Sequence, residues 1–531
     1  MKISVFSKEE LIAEFFAGEY LNSKFKITPQ SGNTVIKMSL PLVDIHGVWR
    51  CNSSEFQLRL PWKVNFSCAL NQGMPFLAFF NSARVLCCAV ATDNLIDDTD
   101  FSAALNQQNC TYDITLNVTG TAEFTLTVDR RSDIPFAESL RQWREEVMPA
   151  GVSFPAAAWE PVFCTWYAVH GAVTQKWIER QAIKAKALGF STLIVDDGWC
   201  YDESKRVTPE TLPNWYNTIG DWKISTEKFP DFPGHVKKIQ NIGLKYLLWT
   251  APHFLGVDSE LFRLHPEWCF DDFHEGCRHL DVRNAEAVDF IAEKLISLVS
   301  DNELDGLKID FLDIIPPWTA LPLGRNTKTL IEKLSRTLRA VNPEALIEFR
   351  QGYATIGMLP YGTQFRAGDV PFDWAYNFRR LADIRLSVGD NVPVHADPAY
   401  WAPDEYPENV ARHMMVMLMA VPMLSMDLNE LPAEHLSIVQ YYMKLYHAKQ
   451  QLLNHGHWQI FFGAGDVAAV TVSSEDEVVV FINDSTVTGK LASELAGKQV
   501  TLLNISANPV NAGTSVIDPG CDGYFEKFTG F

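Results

Sequence analysis

Residues 188–203 read LGFSTLIVDDGWCYDE. The apolar run Thr192–Asp196 has the length and β-branching of a buried strand, and it stops on two adjacent carboxylates, Asp196 and Asp197, followed by Gly198 and Trp199. An amphipathic stretch, Thr174–Leu188, precedes it with helical spacing. The same unit recurs along the chain. Candidate strands are Val162–Trp166, Thr192–Asp196, Lys245–Trp249, Gly306–Asp310, Leu346–Arg350, Thr363–Ala367, Pro393–His395 and Val421–Leu424, with further helices at Ala285–Val299, Lys328–Val341 and Glu408–Met419. Apolar strands alternating with longer amphipathic segments build a parallel sheet, and eight such units close a barrel.

Outward from this repeat the texture changes. Residues 1–150 carry short alternating or β-branched runs, among them Thr34–Leu40, Phe56–Leu60, Leu77–Phe80 and Phe124–Val128, between Gly, Asn and Asp turns. After Gln451 strands return at Val467–Val472, Val478–Ile482 and Val500–Leu503. The predicted architecture is α/β: a β-sandwich-like module over 1–150, a (β/α)8 TIM barrel over 151–452 and an antiparallel β domain over 453–531. Composition agrees, since 531 residues with 47% hydrophobic and 21% charged content suit a large globular enzyme.

The formal charge of −20 sets the chain against phosphate backbones and anionic lipid surfaces, so neither nucleic acid nor membrane is an expected partner. The amino terminus lacks the apolar core of an export signal, and the Met-rich run Met414–Leu424, broken by Pro422, is too short to span a bilayer. It reads instead as a barrel-packing helix running into a strand. Ten Cys with no CxxC spacing point to reduced thiols in a cytoplasm rather than to disulfides or zinc.

Trp166, Asp196 with Asp197, Trp249, Lys308 with Asp310, Arg350, Arg366 with Asp369, His395 with Asp397, and Asp427 all lie at or just past a strand's carboxyl end. In a closed barrel those ends form one rim, where such barrels carry their active sites. Loop starts are polar in any protein, which accounts for two or three of these residues but not for a mixture of Asp, Lys, Arg, His and Trp at nearly every strand. Asp310 and Asp369 supply a carboxylate pair of the kind that glycosidic cleavage requires, one to attack or stabilise the anomeric carbon and one to protonate the leaving oxygen. Lys308, two residues before Asp310, shares its side of the strand and either pairs with it structurally or binds a substrate hydroxyl.

The segment LGFSTLIVDDGWCYDE, followed by IGDWKISTEKFPDFPGHVKKIQNIGLKYLLW, HPEWCF, LDVRN, GLKIDF and IEFRQGYATIGMLPYGTQFRAGD, resembles the α-galactosidases of glycoside hydrolase family 36, and more distantly those of family 27, over roughly residues 155–430. The resemblance implies a retaining α-glycosidase, α-galactosidase-like, acting on an oligosaccharide or glycoside with no cofactor and no metal, in a protein compatible with a homo-oligomer. It places Asp310 on the nucleophile and Asp369 on the general acid/base. Asp196 and Asp197 fall on the pair that receives the O4 and O6 hydroxyls, Lys308 on a hydroxyl-binding lysine, and Trp249 on the strand that lines the −1 subsite. Trp166 and Trp199 join them as candidate substrate contacts.

Two departures from the family pattern bring guanidinium groups to the rim. Glu348-Phe349-Arg350-Gln351-Gly352-Tyr353 stands where a Cys-Ser-x-Gly-Gly-Gly stretch is usual, and Phe365-Arg366-Ala367-Gly368-Asp369 where Trp-x-Ser-Asp is usual. If either Arg350 or Arg366 is free, a modified or anionic sugar becomes the expected substrate. Transglycosylation on the same intermediate is a close alternative. A Mg²⁺ site on Asp310, Glu348 and Asp369, or a non-catalytic sugar-binding protein, are alternatives from other classes.

Overall fold

Eight parallel strands form one sheet in the computed structural model: β1 (Val162–Cys164), β2 (Thr192–Val195), β3 (Lys245–Thr250), β4 (Gly306–Ile309), β5 (Leu346–Arg350), β6 (Gln364–Arg366), β7 (Val394–His395) and β8 (Met423–Leu424). The order runs β7-β6-β5-β4-β3-β2-β1-β8. Closure comes from Val421, whose N–H donates to the Val394 carbonyl at 2.8 Å and whose carbonyl accepts from Ala396 at 3.1 Å. The structure describes residues 1–51, 63–314, 323–463, 466–484, 491 and 495–506, and beyond them the backbone strands Val510–Ala512, Ser515–Ile517 and Phe525–Thr529.

Each predicted barrel strand is present with its bounds within two residues of the expectation: β1, β2, β4 and β6 stop one or two residues short at the carboxyl end, β3 runs one residue further, β5 is as predicted, and β7 and β8 start one and two residues later. The largest change at a carboxyl end is in the first strand, which stops at Cys164; Trp166 opens a short helix, Trp166–Val169, instead of ending the strand. Inside the barrel Val162, Cys164, Ile194, Leu247, Leu346 and Met423 pack as an apolar floor. Above it Lys308, Glu348 and Gln364 lie side by side in register, so the polar layer begins two residues up each strand.

The outer helices include α1 (Gln175–Ala187), α2 (Phe232–Ile242), α3 (Ala285–Asp301), α4 (Leu323–Val341), α5 (Trp374–Val388), α6 (Pro407–Met417) and α7 (Ala433–His455). Helix α4 starts five residues earlier than its periodicity predicts. Its first amides, Leu323 and Gly324, are capped by the Asp98 carboxylate at 3.1 and 3.2 Å, a cap 225 residues away in sequence. The Met run is core as predicted: Met414, Met415 and Met417 on α6 and Met423 on β8 are fully buried.

The amino-terminal region is a sandwich of a six-stranded and a five-stranded antiparallel sheet, and strand Asn33–Pro41 alternates buried and outward residues along its length. The predicted strand Phe56–Leu60 lies outside the described residues. At the carboxyl end a five-stranded sheet is antiparallel except for one parallel pair, Glu477–Ile482 with Gln499–Asn504. No described helix is long and apolar enough to cross a membrane.

Candidate active site

Asp310 follows the last residue of β4 and is buried, and four groups surround its carboxylate. Arg350 Nε lies 3.1 Å from Oδ1, and the Phe311 amide donates to the same oxygen at 2.9 Å. The Trp249 indole donates to Oδ2 at 3.0 Å, and Lys308 Nζ stands 3.9 Å from it. Burial pushes this carboxyl up, but Arg350, Lys308 and Arg366 together with the indole outweigh it and hold Asp310 well below the usual carboxylate range. Phe311 adopts φ 62°, a left-handed turn that starts the rim loop directly after the carboxylate, and Arg350 lies over its ring at 4.4 Å.

Arg350 reaches the second carboxylate as well. Its Nη1 is 3.9 Å from Asp369 Oδ2 and its Nη2 donates to Asp313 at 3.1 Å. Arg366, the last residue of β6, donates through Nη1 to Asp369 Oδ1 at 2.8 Å and to Asp397 Oδ1 at 2.5 Å. Asp369 is the outermost member, its side chain 55% exposed. The pocket walls push its carboxyl up, but Arg366 and Arg350 prevail and keep it below its ordinary value.

On the opposite wall Lys308 Nζ donates to Asp196 Oδ2 at 2.6 Å, and the Asp197 amide donates to Asp196 Oδ1 at 2.9 Å. Asp197 accepts from the Trp215 indole at 2.6 Å through Oδ2, while its buried Oδ1 has no partner among the described residues. Burial raises the Asp197 carboxyl to about 7. An unpaired, desolvated carboxyl oxygen is an acceptor for a hydroxyl.

The structure therefore brings Asp196, Asp197, Trp249, Lys308, Asp310, Arg350, Arg366 and Asp369 to one mouth. It sets Trp199 behind it: this ring is fully buried and its indole donates to the Trp249 carbonyl at 2.9 Å, so it supports Trp249 rather than facing a ligand. Trp166, half-buried, packs against His170 and edge-on to Trp215 at 5.7 Å. Two strand-end residues serve packing instead. His395 is tied to the Ala158 carbonyl at 2.8 Å, and Asp427 gathers Trp177, Arg180 and Gln181 of α1.

Sequence reasoning missed Trp215 and Tyr216, which come from the long segment between β2 and α2. Tyr216 stacks on Trp249 at 6.2 Å and 13°. Two adjacent aromatics in an otherwise polar stretch, NWYN, were the available signal.

Residues 154–319 match the melibiase family model. Among curated relatives, α-galactosidase 2 of Pediococcus pentosaceus is 26% identical over 269 residues, covering 47% of this chain and 35% of the relative. α-Galactosidase AgaA of Geobacillus stearothermophilus is 27% identical over 154 residues, covering 27% and 20%. The chain thus spans between a fifth and about a third of the length of these relatives. Among solved structures, the galactosidase domain of the α-galactosidase–sucrose kinase AgaSK superposes with TM-score 0.68 at 16% identity, covering 96% of this chain and 74% of that one. A family 36 AgaA structure from G. stearothermophilus in complex with raffinose gives 0.67 at 14% identity, covering 95% and 76%. Those superpositions bear out the predicted barrel between two β regions, and the melibiase match and the α-galactosidase relatives make the barrel segment of this chain similar in sequence to α-galactosidases.

Proposed function

We propose that the chain is a retaining α-glycoside hydrolase, α-galactosidase-like, that removes a terminal α-linked sugar through a covalent glycosyl-aspartate on Asp310. The observation that carries this reading is Arg350, whose one guanidinium contacts Asp310 at 3.1 Å and Asp369 at 3.9 Å. Two carboxylates within the span of a single guanidinium fit the short separation of a double-displacement site. In the first step Asp310 attacks the anomeric carbon while Asp369 protonates the leaving oxygen. In the second Asp369 takes a proton from water, which attacks the same carbon and regenerates the Asp310 carboxylate, so the anomeric configuration is retained.

The two acids differ as these roles require. Asp310 is buried and held ionised by cations and an indole, whereas Asp369 stands at the exposed edge where an aglycone departs. Asp196, Asp197 and Lys308 receive the sugar's hydroxyls, and the unpaired Asp197 Oδ1 penalises an epimer that leaves it bare. A neutral sugar fits better than an anionic one. Arg350 and Arg366 are each engaged by carboxylates: Arg350 by Asp310 and Asp313, and Arg366 by Asp369 and Asp397. The same engagement works against the Mg²⁺ reading, because Asp310 spends its oxygens on Arg350 and the Trp249 indole, and Asp369 Oδ1 on Arg366.

Known structures of the AgaA relative hold raffinose and stachyose, so α-galactosyl oligosaccharides of that type are the first substrates to test. We also read units at 1–150, 151–452 and 453–531, and a cytoplasmic location, which nine cysteines in no disulfide among the described residues support. A screen of nitrophenyl α-glycosides, neutral and anionic, with the product anomer followed by NMR, tests the whole reading. Release of α-galactose first is expected. A β-anomer as first product refutes the retaining mechanism, preference for an anionic sugar refutes the substrate, and sugar transfer without free galactose makes the enzyme a transglycosylase.

A further inference from the structure

Asp369 must carry a proton to act as an acid, yet Arg366 stabilises its ionised form. The same nitrogen, Arg366 Nη1, donates to Asp369 Oδ1 at 2.8 Å, to Asp397 Oδ1 at 2.5 Å and to the Ala367 carbonyl at 2.9 Å. Arg366 Nε, which has no hydrogen-bond partner among the described residues, stands 3.5 Å from Glu348 Oε1. Three carboxyls therefore draw on one cation.

They are not equivalent. Asp397 is buried and fixed, its Oδ2 accepting from the Val370 amide at 2.7 Å and from the Tyr167 hydroxyl at 3.2 Å. Glu348 is 1% exposed, and neither of its oxygens has a hydrogen-bond partner among the described residues. Asp369 alone is open to solvent on one side. One positive charge in a buried site neutralises one negative charge at a time. When Asp397 and Glu348 are ionised they satisfy Arg366, and Asp369 is free to hold a proton. When they are protonated the full charge of Arg366 falls on Asp369 and strips it.

We infer that Asp397 and Glu348, acting through the shared guanidinium of Arg366, set the pH range in which Asp369 serves as the acid; both are positioning residues, and the inference rests on Asp369 being the acid/base. Burial pushes each of these carboxyls up to about 7 against the pull of nearby cations, so both change charge near neutral pH. Their ionisation as pH rises raises the proton affinity of Asp369 and extends its working range upward. The other groups facing Asp369 are Arg350 from β5, Lys308 and Asp310 from the end of β4, and Tyr167 after β1, all unchanged in the variants below.

The test is the basic limb of the kcat/KM profile, which reports the acid in the free enzyme. It is measured on an alkyl α-galactoside, whose leaving group needs a proton, and on a dinitrophenyl α-galactoside, whose leaving group does not. Asp397→Asn keeps the shape and, with its carbonyl oxygen on the Val370 amide, removes both the charge and the acceptor that faces Arg366. Its basic limb on the alkyl substrate is expected to move about one pH unit toward acid, the scale of one lost charge beside the pair, with no movement on the dinitrophenyl substrate. Glu348→Gln shifts the limb in the same direction, and decides the matter if Asp397→Asn does not fold. An unmoved limb, or an equal loss on both substrates, overturns the inference. Asp369→Ala is run alongside: if it fails to discriminate the two leaving groups, the acid/base assignment itself is wrong, whereas discrimination there with unmoved limbs in the other variants condemns only the role of Asp397 and Glu348.

Discussion

The two ends of the barrel handle charge in opposite ways. At the amino-terminal end Lys245 pairs with Asp305 at 2.9 Å, and the other Asp305 oxygen accepts from the Tyr246 amide at 2.9 Å and Gln240 at 3.0 Å. Lys245 is half-exposed, so water serves what the protein does not. At the carboxyl end the carboxylates around Arg350 and Arg366 share cations, and Glu348 and Asp197 keep buried oxygens with no partner among the described residues. Pairing at the lower end is what stability selects. Sharing and unmet hydrogen-bonding capacity at the upper end cost stability, and such features are retained where a substrate completes them.

This contrast breaks most sharply at Asp310. Asp310→Asn is expected to lower kcat on the order of 10³-fold or more for every α-galactoside, because in the proposed mechanism both chemical steps pass through that carboxylate. Steady-state rates on aryl and alkyl substrates check it, and a loss confined to one class removes Asp310 from the common step.

Asp197→Asn has a smaller and more selective effect. It is expected to cost about two powers of ten in kcat/KM and to narrow the preference for the galacto over the gluco epimer. It also carries a stability signature. The Asp197 carboxyl, raised to about 7 by burial, binds a proton in the folded state that the unfolded chain has already released, so wild-type stability falls as pH rises from the ordinary carboxylate range to about 7. The neutral amide does not titrate. The Tm of the variant relative to wild type is therefore expected to be higher at pH about 8 than at pH about 5; an equal difference at both values shows that Asp197 is ionised throughout.

Asp305→Asn, at the lower end, has the smallest effect on turnover. It weakens the Lys245 pair and is expected to lower stability by about 1 kcal/mol, measured by denaturant unfolding, with kcat within about twofold of wild type. A large loss of kcat with unchanged stability erases the distinction between the two ends.

The sequence made the barrel legible because the strands are largely apolar and most stop on or just before a polar, charged or Trp residue, a contrast that needs no tertiary information. It also located the rim residues, since period-two alternation sets Lys308 and Asp310 on one side of β4. Features built from distant partners were not legible. The start of α4 depends on a cap from Asp98, and its Gly324 packs so close to the Ile96 carbonyl that a Cβ would stand 1.8 Å from it, neither of which leaves a local mark. Arg366 shows the limit most clearly. Its place at a strand end was visible, but whether it was free for a substrate depended on Asp397, 31 residues on, and Glu348, 18 residues back.

The central claim, that the crowded rim is a double-displacement site with Asp310 as nucleophile, is tested most directly by trapping the intermediate. Incubation with a 2-deoxy-2-fluoro-α-galactosyl fluoride, followed by proteolysis and mass spectrometry, is expected to locate one sugar adduct on the peptide containing Asp310 and to show none in Asp310→Asn. An adduct on Asp369, Glu348 or any other carboxylate contradicts the account.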